Sequence, residues 1–484
     1  STVTVLTIII GLPLGFLRAR LPIVSGRIWD VLFLTPFLIP PYIGSLSWMQ
    51  LAQKNGFIEQ LAGFNLADLL YSFTGLSLVM ALHLFPLIYF AASRSFAVIG
   101  QRYGDVAQVF GAGPFISFIK IDLPLVAPAL FASGLMVFIL TIEEFGTPEI
   151  LGRRFGFDVM VTAIHDKFTD WPIDLSGASV LCLLLIGIAF VAFQLQRKLS
   201  ERYQTELESR HLRSTNAIQN PLSLLITHGF FGVVAFVGVV LPIASITIGA
   251  FMERLSGGLS SDNFGWTNFQ EVFATDSDAL EAIATSVSLA LGASIGTVII
   301  GIVVAFTVVR MRSRATQFID FLAILPNSVP GMAVAVGLIL TWNLVIWPIT
   351  PYNTVYILLL AYLCLMLPYP IRMLIAGLKQ LPTTLDQAAL LSGASELKVI
   401  MRILTPLLLS TALAAGCIVF AISTRELVSS LMLAPPGVET VATFVFRQFD
   451  QGSINVGMAM SLITILISGA IIAFGQSLHK RTLK

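Results

Sequence analysis

Four ionisable side chains lie where an apolar chain should not carry them. Glu143 and Glu144 end one long apolar run, and Arg425 and Glu426 end another. Charge inside a membrane is expensive, so such groups mark a polar pathway or a pair that neutralises itself. One reading is a polar gate, or an acidic contact for a cation. The other is a salt bridge through Arg425. Other chemistry is missing from the sequence. The five histidines are scattered, and no pair has the spacing of zinc ligands. Cys182, Cys364 and Cys417 sit within apolar runs, as small packing residues rather than disulfide partners or metal ligands. No G-x-x-x-x-G-K-S/T loop occurs, so the chain has no phosphate cradle for ATP. Leu255-Ser256-Gly257-Gly258 stands alone and reads as a loop. These residues predict no covalent chemistry and no resident cofactor or metal.

The elements that position the four charges follow from composition. Of 484 residues, 56% are hydrophobic and 11% charged. Soluble domains carry about 25% charged residues. Lipid must be the solvent here, and long continuous apolar runs select helices over a barrel. The net charge of +1 names no partner, and no basic stripe suggests nucleic acid. Runs lie near 1–18, 29–52, 73–97, 124–145 and 176–196, and then near 221–251, 280–309, 316–347, 354–378, 406–431 and 455–478. The fold class is therefore an all-α polytopic membrane protein with about eleven spans. Lys and Arg collect in alternate loops, among them Arg18, Arg20, Arg94, Lys120, Arg197, Arg310, Arg314, Lys379, Arg402 and Lys480. Those loops are cytoplasmic by the positive-inside rule.

The chain repeats itself. Gly111, Ile121, Pro124 and Glu144 match Gly393, Ile403, Pro406 and Glu426 at an offset of 282. Farther upstream, Gly11, Arg20, Pro36 and Pro40 match Gly301, Arg310, Pro326 and Pro330 at an offset of 290. Loop polarity is the same in both copies. The repeats are thus parallel, related by a pseudo-twofold axis along the membrane normal, with a pathway expected along it. The division expected is 1–196 for the first half, 197–220 for a polar cytoplasmic linker and 221–484 for the second half. Ser1 aligns with Leu291, inside a helix of the second copy. The natural protein is therefore expected to begin earlier, with a twelfth span.

Within the repeat, Asp105-Val106-Ala107 is followed by Gly111 and then by Ile121-Asp122-Leu123-Pro124. Gln387-Ala388-Ala389 is followed at the same spacing by Gly393 and Ile403-Leu404-Thr405-Pro406. Small residues let a short helix lie against another protein, glycine lets the chain turn, and proline opens the next span. Both segments resemble the EAA loop of binding-protein-dependent ABC importer permeases. They depart from it at Asp105, Gln387, Val106 and Thr405. The resemblance implies that Asp105, Ala107, Gly111, Pro124, Gln387, Ala388, Ala389, Gly393 and Pro406 couple the chain to a separate ATPase. It implies two ATPase copies carrying ATP and magnesium, one binding protein outside, and a bacterial inner-membrane location.

The two halves on one chain are similar to the fused ferric iron permease family, whose relatives serve thiamine, phosphonates and sugar phosphates. Phe145-Gly146-Thr147-Pro148 and Leu151-Gly152 look like a stretch of the iron group. Carboxylates at 143, 144 and 426 would suit a hard cation such as Fe(III). The binding protein is expected on loops near 146–175, 252–278 and 432–454. The mechanism implied is alternating access, set outward-facing when ATP closes the ATPases on segments 101–123 and 383–405. A secondary transporter or a channel would leave the repeated loop spacing without a reason.

Overall fold

The computed structural model describes residues 1–482 apart from 22, 24, 100–105, 108, 209–220, 276 and 312. Among the described residues the chain is helical, with one isolated antiparallel bridge between Met252 and Phe264. Among the described residues eight helices are long and apolar enough to cross a membrane, or eleven if each of three bent pairs is one span. That is the number of apolar runs in the sequence.

Three of the apolar runs fold as bent pairs. The run near 29–52 is two helices, Gly26–Phe37 and Pro41–Ala62, meeting at 93°. The run near 316–347 is Arg314–Ser328 and Gly331–Trp342, meeting at 108°. The cause is the same in both. Proline forces the residue before it out of the helical region. Ile39 before Pro40, and Val329 before Pro330, are extended at ψ 130° and 114°. A third pair, Val355–Met366 and Pro368–Gln380, bends by 42°. Pro86, which matches Pro368, is held within an unbroken helix, Phe73–Ile99. The second repeat adds Pro370 two residues on, and two missing donors break what one does not.

Two compact units form. The first comprises residues 1–174, 187–248 and 256–261. Its centre is the Thr2–Arg20 helix lying along Phe73–Ile99. A Cβ on Gly11 would sit 2.8 Å from Ile88 Cβ, and one on Gly15 would sit 2.6 Å from Ala92 Cβ. Glycines four apart let two membrane helices touch backbone to backbone, where packing rather than hydrophobicity drives association. Pro221–Ala235 packs its Phe231 edge-on to Trp29 and Phe33 in this unit.

The second unit comprises 175–186, 249–255 and 262–484. Asp278–Arg310 plays the part of Thr2–Arg20, and lies on Pro368–Gln380 and Thr405–Ser423. Ala305, fully buried, takes the place of Gly15. A Cβ on Gly301 would sit 3.0 Å from Leu374 Cδ1, so the second contact is slightly looser than the first.

Candidate functional site

The two repeated loop segments take one geometry. Residues 106, 107 and 109 are helical, as is Thr384–Leu391. Gly111 has φ +81° and Gly393 φ +82°. The Ala112 N–H donates to Ala107 O at 2.9 Å, and the Ala394 N–H donates to Ala389 O at 3.1 Å. Each is the six-to-one bond of a left-handed helix cap, which satisfies a carbonyl left over at the helix end. The last alanine of each motif is therefore the acceptor that closes the cap. A Cβ on either glycine would meet nothing within 4 Å. Glycine stands here for its backbone conformation, not to admit a neighbour within this chain. Ala388 and Gln387 are exposed and Ala107 is buried. Asp105 lies outside the described residues.

Sequence reasoning passed over the side chains beside those glycines. Val109 and Leu391 are equivalent, and are 85% and 89% exposed. Each is an apolar knob at the tip of a short helix, two residues before the capping glycine. Their signal was an aliphatic residue at one place in both copies of a polar loop.

Pro124 and Pro406 do not open their spans. The helices run through them, the first as one apolar stretch over Phe115–Glu143. Each proline is preceded by a five-residue π turn, Phe118–Asp122 and Ile400–Leu404. A third π turn, Phe236–Val240, precedes Pro242 at the same distance. Proline lacks the N–H for the i−4 carbonyl and its ring clashes with that group. A wider turn below it moves the carbonyl aside and lets the helix continue.

At the opposite end of these helices stand the four charged residues. Glu143 and Glu144 share a junction in the first unit, and Arg425 and Glu426 share its counterpart in the second. Glu144 Oε1 accepts the Thr147 N–H at 2.8 Å, which starts the Gly146–Leu151 helix. Glu426 Oε1 accepts the Ser429 N–H at 3.0 Å and starts Val428–Leu433. Both carboxylates thus cap a six-residue helix. Gly146 brings the first of these helices against Tyr42, where a Cβ would sit 2.6 Å from Tyr42 Cβ. The buried Ser45 hydroxyl donates to Thr147 Oγ1 at 2.8 Å. In the second unit Tyr362 and Ser430 share a buried hydrogen bond of 2.7 Å. Glu143 Oε1 and Glu144 Oε2 are buried with no hydrogen-bond partner among the described residues. Among those residues no group of three or more His, Cys, Asp and Glu could hold a metal ion.

The second unit also holds a cavity of about 620 Å³, lined by Asp278, Glu281, Ser288, Glu439 and Arg447 among others. Arg447 bridges Asp278 at 2.9 Å and Glu439 at 2.8 Å. Burial pushes the Glu439 carboxyl up, while Arg447 pulls it back. Only folding brings Glu439 and Arg447 to Asp278 and Glu281, so no local pattern marks the cavity.

Comparison with known proteins adds the following. The profile described as "Binding-protein-dependent transport system inner membrane component" matches twice, over residues 7–205 and 297–483. The chain is 25% identical over 98% of its length to the ferric transport system permease protein FbpB of Actinobacillus pleuropneumoniae, and covers 69% of that protein. It is 23% identical over 96% of its length to the Fe(3+)-transport system permease protein FbpB 2 of Haemophilus influenzae, and covers 86% of it. A protein of Salmonella typhimurium, PhnV, whose name assigns it provisionally to 2-aminoethylphosphonate transport, is 24% identical over half of the chain.

Proposed function

Because the chain belongs to the binding-protein-dependent transport system inner membrane components, and is thus a multi-pass, non-catalytic permease of an ABC importer, we propose that it forms the translocation pathway for ferric iron. The relatives named for ferric transport share the full two-repeat length of this chain, whereas the PhnV protein, matched over 89% of its own length, corresponds to half of it. Residues 1–196 and 221–484 are the two permease halves, joined by 197–220. An outer binding protein delivers the substrate, and two ATPase subunits hold ATP and magnesium on the cytoplasmic side.

One observation carries the coupling assignment. The same capped helix, ending in a left-handed glycine beside an exposed aliphatic knob, occurs once in each repeat. A solvent-facing Val109 or Leu391 has no reason within this chain to be apolar. A groove on an ATPase supplies one. Ala107, Gly111, Ala388, Ala389 and Gly393 then shape the docking helices, and Asp105 and Gln387 are the matching first residues of the two motifs. Pro124 and Pro406 fix the π turns through which each docking segment joins its membrane helix. ATPase closure moves both segments and opens the pathway outward, and hydrolysis resets it.

Among the four charged residues, Glu143 is the candidate for contact with a passing cation, since it starts no helix and one of its oxygens is buried without a hydrogen-bond partner among the described residues. Glu144 and Glu426 act as helix caps, which supports a structural role at the outer junctions; Arg425 belongs to the second of them. Uptake and ATPase activity in proteoliposomes, with the ATPase and binding protein supplied, test the substrate. Ferric iron should stimulate both. Stimulation by thiamine, a phosphonate or a sugar phosphate but not by iron would keep the importer and discard iron.

A further inference from the structure

The first helix of each repeat ends in an equivalent arginine, and the two arginines hold acids from different places. Arg20 closes Thr2–Arg20, and its Nη2 lies 2.6 Å from Asp122 Oδ1. Asp122 is the last residue of the π turn behind the first docking segment. Arg310 closes Asp278–Arg310, and its Nε lies 2.6 Å from Asp386 Oδ2. Asp386 is in the first turn of the second docking helix itself. Arg310 also donates through Nη2 to Leu381 O at 3.3 Å, just before that helix. Both pairs are largely shielded from solvent, with side chains 11% and 8% exposed in the first and 11% and 14% in the second.

The partners have changed places between the repeats. The position of Asp122 is Leu404 in the second copy, and the position of Asp386 is Gly104 in the first. Among the described residues, Asp122 meets its arginine from the membrane side of the docking segment and Asp386 from the start of its helix. Removing the acid of a buried pair leaves its arginine short of compensation.

We infer that Arg20–Asp122 and Arg310–Asp386 are ties that fasten the ATPase-docking segments to the membrane helices. The inference rests on the docking reading given above. In the second repeat the docking helix is bound at its start to Asp278–Arg310 and moves with it. In the first repeat Asp122 ties Arg20 to the Phe115–Glu143 helix at the root of the docking segment. Arg20, Asp122, Arg310 and Asp386 are positioning residues, which act through the segments they hold.

The test uses the full chain with its ATPase in proteoliposomes, and reads substrate transported per ATP hydrolysed. Asp386→Ala should lower that ratio about fivefold or more, within the usual range for coupling between sites, while the ATPase stays bound and its basal rate persists. Adding Leu404→Asp to Asp386→Ala rebuilds the first repeat's arrangement in the second and should restore the ratio. Asp386→Asn, which keeps the side chain's shape, serves if the alanine variant does not reach the membrane. An unchanged ratio in Asp386→Ala or Asp386→Asn with the ATPase retained overturns the inference, as does failure of the second acid to rescue. Failure of the unaltered chain to retain the ATPase would instead overturn the docking reading.

Discussion

Gly111 and Gly393 permit a test that separates backbone from bulk. Both sit at φ near +81°, and a Cβ at either would meet nothing within 4 Å. Alanine there costs only the left-handed conformation, about 1–2 kcal/mol. That is a factor of about 5–30 in the population of the closed cap. Asparagine visits this region more readily and should cost less than alanine, despite its larger size. Valine, branched at Cβ, should cost most. The expected order of coupled uptake is Gly, Asn, Ala, Val. Amide exchange at Ala112 and Ala394, whose N–H groups close the caps, should accelerate in the reverse order. If instead uptake falls with side-chain volume, so that alanine exceeds asparagine, the glycines serve close contact with the ATPase and the conformational argument fails.

Other expectations are as direct. Val109→Glu and Leu391→Glu should each weaken retention of the ATPase on a pull-down while leaving membrane insertion intact; unchanged retention in both removes the knobs from the docking surface. Glu144→Gln and Glu426→Gln should keep most transport, since the amide oxygen still accepts the Thr147 or Ser429 N–H. Alanine at either site should cost about 1 kcal/mol, as for a lost helix cap, and abolition of iron uptake by glutamine would make these residues cation ligands instead. Outside the spans, burial holds the His165 imidazole below its ordinary value of 6.5, with Asp166 opposing the shift. The unfolded chain then takes up this proton first, so His165's contribution is complete above that value and is lost as pH falls through it. His165→Phe should flatten the decline in Tm between about pH 8 and about pH 5, and an equal decline in both proteins refutes the assignment.

Much of the fold could be read before folding, because hydropathy reports a solvent and lipid leaves few alternatives. The eleven apolar runs, the parallel repeat and the twin loop segments all lie on the surface of the sequence. The breaks at Pro40 and Pro330 did not emerge, since a hydropathy window averages across an extended residue without noticing it. The paired prolines, Pro36 with Pro40 and Pro326 with Pro330, were the available sign. Proline's usual preference places Pro124 at a helix start, but the helix begins upstream and the π turn accommodates it. The glutamate caps were locally legible as Glu144-x-x-Thr147 and Glu426-x-x-Ser429. Their charge within an apolar run masks this local capping pattern. Arg20–Asp122 and the cavity around Arg447 join residues more than a hundred positions apart. No local pattern announces such pairs.

The π turns have a consequence for locating the pathway. A single π turn adds one residue to a helix without adding a turn. At 3.6 residues per turn, that displaces everything beyond it by about 100° around the axis. A stripe of residues counted upward from Ile119 or Met401 therefore emerges on a different side of the helix from the one a regular count assigns. Solvent-accessible cysteines introduced along 114–143 and 396–423 should show regular periodicity on each side of 118–122 and 400–404, with a slip of one residue across each. The walls of the conduit must be mapped from above the slip, not extrapolated from the docking end.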